Sequence, residues 1–510
     1  MRRSYIDIPS PPTLAIVTTD RRIPAVLLSA RPGLPLDGTA TPRDRSRCQR
    51  TKDVETKAET NMKVIVIGGG FAGLSAAIRI TERHHDVTLL ERRGVLGGRA
   101  SSYRDSVSGD DIDGGHVLFA AHRATLNLLQ RAGASHCVER LPALLLDRGQ
   151  GLGTVRLFSG ALPAPWHALP GLLALRLSPR DLRRAWRLLR GAPSAVAVNE
   201  TLATLLGRGD GTLLLRRLME PLCLLLCRAP AKAVSARLFL SALQSTLTRT
   251  VAGARPLGFP PGLGEIHQRL AAYFAARGGH IVYGARAEAI EIRAARVCGV
   301  TYNQRPRDRA SLRRGERGQA QRIAADAVVS TVPWHALGAL FPESVRAVPP
   351  FSLLDQLRPQ PATSMAVWLE RPLPVRGLVG LAESELGWLT ERHLAGRENG
   401  PGSRYWHASF TAAAQVRRNI ELEAGAAAAL QRGFPLLGPG NLMRGIVLRE
   451  PTGTHAQDPE AIGLRRTIVT DIGGLFLAGD WTDTTRPASI ESAVLSGRRA
   501  ADALQQSRCE

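Results

Sequence analysis

Apolar positions along this chain recur in two registers, and each predicts one kind of element. Short largely apolar runs, bounded by glycine, proline or an acid, read as strands covered on both faces: Val64-Ile65-Val66-Ile67, Val87-Thr88-Leu89-Leu90, Ala325-Asp326-Ala327-Val328-Val329-Ser330-Thr331-Val332-Pro333 and Leu475-Phe476-Leu477-Ala478. Further strands are predicted over His280–Tyr283, Ala287–Ile292 and Ser364–Leu369, and a basic hairpin insertion over residues 303–322. Helical spacing begins after Gly73, runs over 122–132, and returns between Gly262 and Gly278. Another helix is predicted to start at Pro487 and Ser489, residue types suited to a first turn and its cap. Ser178-Pro179-Arg180-Asp181 also reads as a helix start. It is followed by Leu182, Ala185, Trp186 and Leu189 on one side and by Arg183, Arg187 and Arg190 mostly on the other.

The first strand breaks into Gly68-Gly69-Gly70-Phe71-Ala72-Gly73, a G-x-G-x-x-G that opens a helix. Glu91 ends the next apolar run, about 20 residues beyond the glycines, so strand, turn, helix and acid together make a dinucleotide-binding unit. Gly68 permits the tight turn, Gly70 lets backbone approach a pyrophosphate, and Gly73 lets helix and strand pack closely. Free N–H groups at the helix start, at Phe71 and Ala72, face the negative charge. Glu91 can accept hydrogen bonds from both hydroxyls of a ribose whose 2′-OH carries no phosphate. In a chain with 50 glycines the glycine motif alone is weak, and its flanks make it specific.

After the acid comes Arg92-Arg93-Gly94-Val95-Leu96-Gly97-Gly98-Arg99. Acid, short spacer and Gly-Gly-Arg resemble the flavin amine oxidase and phytoene desaturase superfamily. The resemblance implies FAD, with Arg92, Gly97, Gly98 and Arg99 along its diphosphate and flavin. It also implies that Gly479-Asp480 ends a buried strand and offers the Asp480 carboxylate to the ribityl and diphosphate part. The helix at Ser489-Ile490 would point its N-terminus at the flavin pyrimidine, where its dipole stabilises negative charge on the reduced ring, and the backbone of Ala287 would meet adenine. Within the superfamily, the hydroxysqualene dehydroxylase branch of hopanoid gene clusters is the one this chain resembles, from Met62 to about Leu504. The likeness rests on Asp113-Gly114-Gly115-His116-Val117-Leu118, Pro165-Trp166-His167, Glu220-Pro221-Leu222-Cys223, Gly262-Leu263, Trp388 and Ala478-Gly479-Asp480-Trp481-Thr482-Asp483-Thr484. Two places depart from it. The branch's Asp-Asn-Gly-Gln-His is one residue shorter here, and its Ala-Leu-Asn after Pro-Leu-Cys reads Leu225-Leu226-Cys227.

The fold implied is α/β: a Rossmann-like, discontinuous FAD-binding domain with an inserted α+β substrate domain. The FAD domain is expected over 62–143, 256–345 and 451–510, and the substrate domain over 144–255 and 346–450. Residues 1–61 lack any period, and Met62 directly starts the first strand. They are expected to be a disordered extension or a mis-assigned start, with an organelle transit peptide as the alternative.

A formal charge of +23 over 510 residues would ordinarily point to nucleic acid, but all but four of the 67 basic residues are arginine, a skew that fits coding bias. Aromatics at 5% give no stacking platform, so no nucleic acid is expected. The arginine-rich helix after Ser178 fits peripheral attachment to an anionic membrane and equally a solvated cover over the substrate domain. No purely apolar run is long enough to span a bilayer. Six scattered cysteines form no disulfide framework, which places the protein in a reducing cytoplasm, on the inner face of the membrane if it is attached. Cys223 and Cys227 read as buried thiols on one helix face rather than a redox pair.

The branch resemblance implies reductive removal of an allylic hydroxyl from hydroxysqualene, an apolar isoprenoid, giving squalene. Such a reaction needs an electron donor for FAD, which the residues do not identify. It also needs a proton donor at the leaving oxygen and a dry tunnel. His116 is the candidate donor with Asp113 as its orienting partner, a structural hydrogen bond being the alternative role for His116. Glu220 and Cys223 are candidates for the tunnel wall, Glu220 also for capping a turn. The histidines lack ligand spacing, so no metal is expected. Rival readings are a carotenoid-type desaturase, a flavin amine oxidase and, without catalysis, a prenyl-lipid carrier of the GDP-dissociation-inhibitor kind.

Overall fold

Five strands far apart in sequence make the parallel sheet at the centre of this computed structural model. They are β1 (Lys63–Ile67), β2 (Asp86–Glu91), β3 (His280–Tyr283), β4 (Ala327–Ser330) and β5 (Leu475–Leu477), in spatial order β3-β2-β1-β4-β5. The structure describes residues 61–507 apart from 108, 110, 150, 151, 159, 208–211, 261, 306–317, 394–403, 412, 413, 415, 439 and 466–469. The expected N-terminal extension up to residue 60, most of the expected hairpin insertion, Cys48 and Cys509 lie outside the described residues.

Every neighbouring pair in this sheet is parallel, with Val64 opposite both Val87 and Ala327. Alternation along β1 explains why its run is apolar throughout. Val64 and Val66 face α1 (Phe71–Thr81), α2 (Ile490–Gln506) and the helix Leu263–Ala275, whereas Ile65 and Ile67 face a second layer containing Val300, Tyr302 and Trp334. That second layer includes a three-stranded antiparallel sheet of Ala285–Arg293, Arg296–Gln304 and Gln319–Ala324. The two helices α1 and α2 touch closely because small residues meet. Ser75 Oγ donates to Val494 O at 2.9 Å, and a Cβ on Gly497 would lie 2.1 Å from Ala72 O.

A seven-stranded sheet stands beside this layer, in the order Leu442–His455, Pro359–Leu369, Arg404–Phe410, Leu386–His393, Leu378–Gly380, Leu144–Asp147 and Thr154–Arg156. Only the Leu378–Gly380 and Leu144–Asp147 pair is parallel. The strand Leu442–His455 runs through position 450, where a domain boundary was expected. Helical segments between 166 and 248 cover one end of it, and Leu172, Leu189, Leu218, Phe239 and Leu243 join Leu144, Leu378 and Trp388 in one core. Each such leucine contributes about 1.5–3 kcal/mol relative to exposure. Trp388 Nε1 ties the two parts together by donating to Pro221 O at 2.7 Å.

The helix after Ser178 spans Pro179–Arg190, with Ser178 Oγ accepting from Asp181 N at 3.1 Å. Ala185 and Leu189 are buried, while Leu182 and Trp186 are half-buried. Cys223 and Cys227 are buried free thiols in the helix Glu220–Cys227, and burial pushes both well above the usual thiol range, which keeps them unreactive. No helix among the described residues is long and apolar enough to cross a membrane.

Candidate functional site

A cavity of about 840 Å³ opens at the C-terminal ends of β1 and β2 and continues under the seven-stranded sheet. Its first wall is the glycine turn. Gly68 takes φ +106°, and a Cβ there would lie 2.5 Å from Thr331 Oγ1, which itself donates to Ile67 O at 2.8 Å. At Gly73 a Cβ would sit 1.8 Å from Gly68 O, so this glycine lies under the turn rather than in the cavity wall. Gly70 differs. A Cβ there meets nothing nearer than Gly97 O at 3.9 Å, and no side chain caps the α1 N-terminus it begins. The cavity therefore has room against the backbone where Phe71 and Ala72 carry free helix-start N–H groups, a cradle suited to a diphosphate.

Glu91, 5% exposed at the end of β2, lines the same wall and braces it. Its Oε2 accepts from Gly69 N at 2.7 Å and its Oε1 from Arg93 N at 2.8 Å, leaving lone pairs on both oxygens. Gly97 N donates to Gly69 O at 2.9 Å, which lays Gly97-Gly98-Arg99 alongside the turn. Arg92 stands at the rim. Arg99 forms an ion pair with the buried Asp480 and donates to Gly453 O at 3.0 Å. Gly479 N donates to Ser496 Oγ at 2.9 Å, anchoring the end of β5 to α2. Ser489 caps α2, its Oγ accepting from Ser492 N at 3.1 Å, so Ser489 and Ile490 present that helix start to the cavity. Ala287 also lines it, at a place where the ladder of its strand skips a register between Ala287 and Ala289.

His116 lines the cavity, but the acid expected there is not what the geometry provides. Its Nδ1 donates to Gly114 O, and burial, then the Arg228 charge, push its pKa down to about 3. With Nδ1 committed to that carbonyl, the geometry favours the structural hydrogen bond, the alternative role for His116, over the proton donor. Asp113 does not orient it and lies outside the cavity wall. Its carboxylate accepts from Ser102 Oγ at 2.6 Å and from Leu263 N at 3.1 Å, where it caps the helix Leu263–Ala275, and burial raises its pKa. Glu220 and Cys223 are not in the wall either, because Glu220 Oε2 accepts from Ala231 N at 2.8 Å and Cys223 faces the leucine core. Leu224, Leu225 and Leu226 take their place, with Leu378 and Trp388 opposite.

Several residues of this site carry no local signal in the sequence. His407, 1% exposed, occupies the space above Gly115, where a Cβ would come within 1.9 Å of its ring. Arg392, 3% exposed, donates to His116 O. Glu491 turns its carboxylate to the helix Arg123–Arg131 and accepts from Ala124 N at 3.0 Å and Thr125 N at 2.8 Å. The doubled glycine before His116 signals a close neighbour without naming it, and the departure from the branch pattern after Cys223 marks the stretch that ends at Arg228. Among the described residues no group of three or more His, Cys, Asp or Glu could hold a metal ion.

The family described as flavin containing amine oxidoreductase matches this chain over residues 71–416 and 449–505. A 15-cis-phytoene desaturase of Synechococcus elongatus is 25% identical over 475 residues, covering 87% of this chain and 96% of its own. A hydroxysqualene dehydroxylase of Rhodopseudomonas palustris is 28% identical over 465 residues, covering 86% and 97%. The crystal structure of an oxidoreductase from Methanosarcina mazei superposes with a TM-score of 0.66 at 17% identity, over 86% of this chain and all of the other, and shares the fold.

Proposed function

Because the chain belongs to the flavin-containing amine oxidoreductase family, we propose that it removes the allylic hydroxyl of hydroxysqualene reductively and releases squalene. FAD is its cofactor, and in its reduced form it supplies a hydride. In this reading the diphosphate lies against Gly70 and the first N–H groups of α1, the adenosine ribose on Glu91, and adenine at the Ala287 backbone. Arg92, Gly97, Gly98 and the Arg99–Asp480 pair follow the diphosphate toward the ring, and the start of α2 at Ser489 and Ile490 faces the flavin pyrimidine.

The observation that carries the substrate assignment is the change of chemistry along one cavity. One end offers backbone N–H groups and charge, and the other is walled by Leu224, Leu225, Leu226, Leu378 and Trp388. A long hydrocarbon suits that wall, which also keeps water from the reacting carbon. A protonated amine suits it poorly, since Arg228 in the same wall would repel an ammonium group. The relatives named for hydroxysqualene support the branch, and those named for phytoene support the isoprenoid class. To test the reading, protein reduced with dithionite under anaerobic conditions is mixed with hydroxysqualene while flavin spectrum and lipid product are followed together. Flavin reoxidation with squalene formation is expected. A flavin that stays reduced, but is bleached from the oxidised state by a polyene precursor, would move the assignment to a desaturase.

Delivery of such a substrate fits a peripheral position on an anionic membrane. Trp166 and Leu173 are 48% and 56% exposed, and Trp166 lies 4.6 Å from Trp186 of the arginine-rich Pro179–Arg190 helix. Co-sedimentation with anionic but not neutral vesicles, weakened by salt, is the expected result, and equal absence from both pellets would remove the membrane from the account.

A further inference from the structure

The apolar half of the cavity holds a cation that no acid among the described residues answers. Arg228 follows the helix Glu220–Cys227 as its C-cap, with a left-handed backbone at φ 56° where glycine is the favoured residue. Gln360 Nε2 donates to its carbonyl and fixes that backbone. Its guanidinium is in the cavity wall, and burial, with no carboxylate to offset it, lowers its pKa. Holding a half-buried cation without a counter-charge is unfavourable, and a non-glycine residue at positive φ adds strain. A tunnel for a plain hydrocarbon gains nothing from either.

His116 and His407 line the same cavity. Burial lowers the pKa of both, followed by the Arg228 charge for His116 and by the Arg392 and then the Arg228 charge for His407. Leu224, Leu225, Leu226, Leu378 and Trp388 share the wall with the hydroxyls of Ser245, Thr246, Thr390 and Ser409.

We propose that Arg228 is the polar anchor of the substrate half: its guanidinium binds the oxygen of an isoprenoid alcohol and selects an oxygenated chain over a hydrocarbon of equal length. The proposal rests on the dehydroxylase reading for the identity of the alcohol. A hydroxyl matches the guanidinium because its oxygen has lone pairs for the N–H donors. A hydrocarbon would leave the cation dry and unanswered, and a site built to bind a hydroxyl rejects the analogue that lacks it.

The test uses the FAD-loaded, oxidised protein and measures equilibrium binding of hydroxysqualene and of squalene in detergent micelles through the change in flavin spectrum. Wild type is expected to favour the alcohol by about 10–150-fold, the range of a charge-assisted hydrogen bond. Arg228→Gly removes the guanidinium and relieves the positive φ, so its melting temperature and FAD content should match or exceed wild type. Its preference should fall to within about threefold, through lost affinity for the alcohol, and Arg228→Lys should restore part of it. A folded, FAD-loaded Arg228→Gly that keeps the wild-type preference overturns the proposal, as does a wild type without preference. Squalene formation by the reduced wild type is scored separately. If squalene forms while binding shows no preference, the anchor fails and the dehydroxylase reading stands. If preference is present and depends on Arg228 but no squalene forms, the anchor stands and the reaction assignment fails.

Discussion

Exchanging Glu91 for glutamine changes one atom of the cavity wall, and the structure makes that atom matter twice. Both carboxylate oxygens accept backbone N–H groups, from Gly69 at 2.7 Å and Arg93 at 2.8 Å. An amide has one acceptor and one donor, so one N–H would face an NH2 group. At 5% exposure water cannot fill in, and the buried mismatch costs about 1–3 kcal/mol of apo-protein stability. The second effect falls on FAD. The remaining lone pairs of Glu91 are those the adenosine ribose would use, and losing one charge-assisted hydrogen bond of about 1.5–3 kcal/mol weakens FAD binding about 10–150-fold. Equilibrium dialysis of FAD against Glu91→Gln and wild type measures this, with FMN as the comparison ligand because it has no adenosine ribose. The FAD affinity should fall and any FMN affinity change much less. FAD affinity within twofold of wild type, or an equal loss for both ligands, would refute the ribose assignment and leave Glu91 as a brace for the turn.

Gly115→Ala puts a Cβ 1.9 Å from the His407 ring, an overpacking of about 1–3 kcal/mol in the substrate half. FAD content should be retained while squalene formation drops at least about 10-fold, and full turnover would show that His407 yields freely. Acid should destabilise the apo-protein. His267 and His455, 2% and 0% exposed, are held by burial at about 4 and about 3. With folded values below the unfolded one, the stability present above pH ~6.5 is lost as pH falls toward 4, at about 1.4 kcal/mol per pH unit for each ring. Asp113, Asp147 and Glu220, raised by burial, work the other way, but seven histidines are lowered against these three acids. Urea midpoints at pH 7, 6 and 5 should therefore decrease in that order, and a flat series would contradict the burial argument.

The parts of this molecule that could be read in advance are those whose cause is local. A strand covered on both faces must be apolar at every position, so β1, β2, β4 and β5 stand out as unbroken runs. A helix that starts against a ligand needs a small first turn or a capping hydroxyl, so Gly70 and Ser489 mark helix starts. What could not be read are contacts made across the fold. Asp113 sits three residues before His116, yet it caps the helix at Leu263, 150 residues on. His407 meets Gly115 only because a strand of the second sheet passes over it, and Glu491 caps a helix 366 residues earlier. Sequence spacing carries no trace of such pairings, since any of many histidines or acids could have filled the role. The departure after Cys223 was visible as a difference, but its consequence, an arginine in a leucine-rich wall with no carboxylate partner among the described residues, required the cavity.

The seam between α1 and α2 has a consequence for how the protein is made. Ser75 and Val494, joined by a hydrogen bond, are 419 residues apart, and the cap at Ser489 and the strand β5 also lie near the end of the sequence. A nascent chain leaving the ribosome therefore carries an exposed glycine turn from residue 73 onward, and an open sheet edge at β4 from residue 330 until β5 is made at 475. FAD cannot be gripped from both sides until the last turns emerge. Tight FAD binding therefore waits for the synthesis of β5 and the start of α2, whatever the first half of the site has already folded.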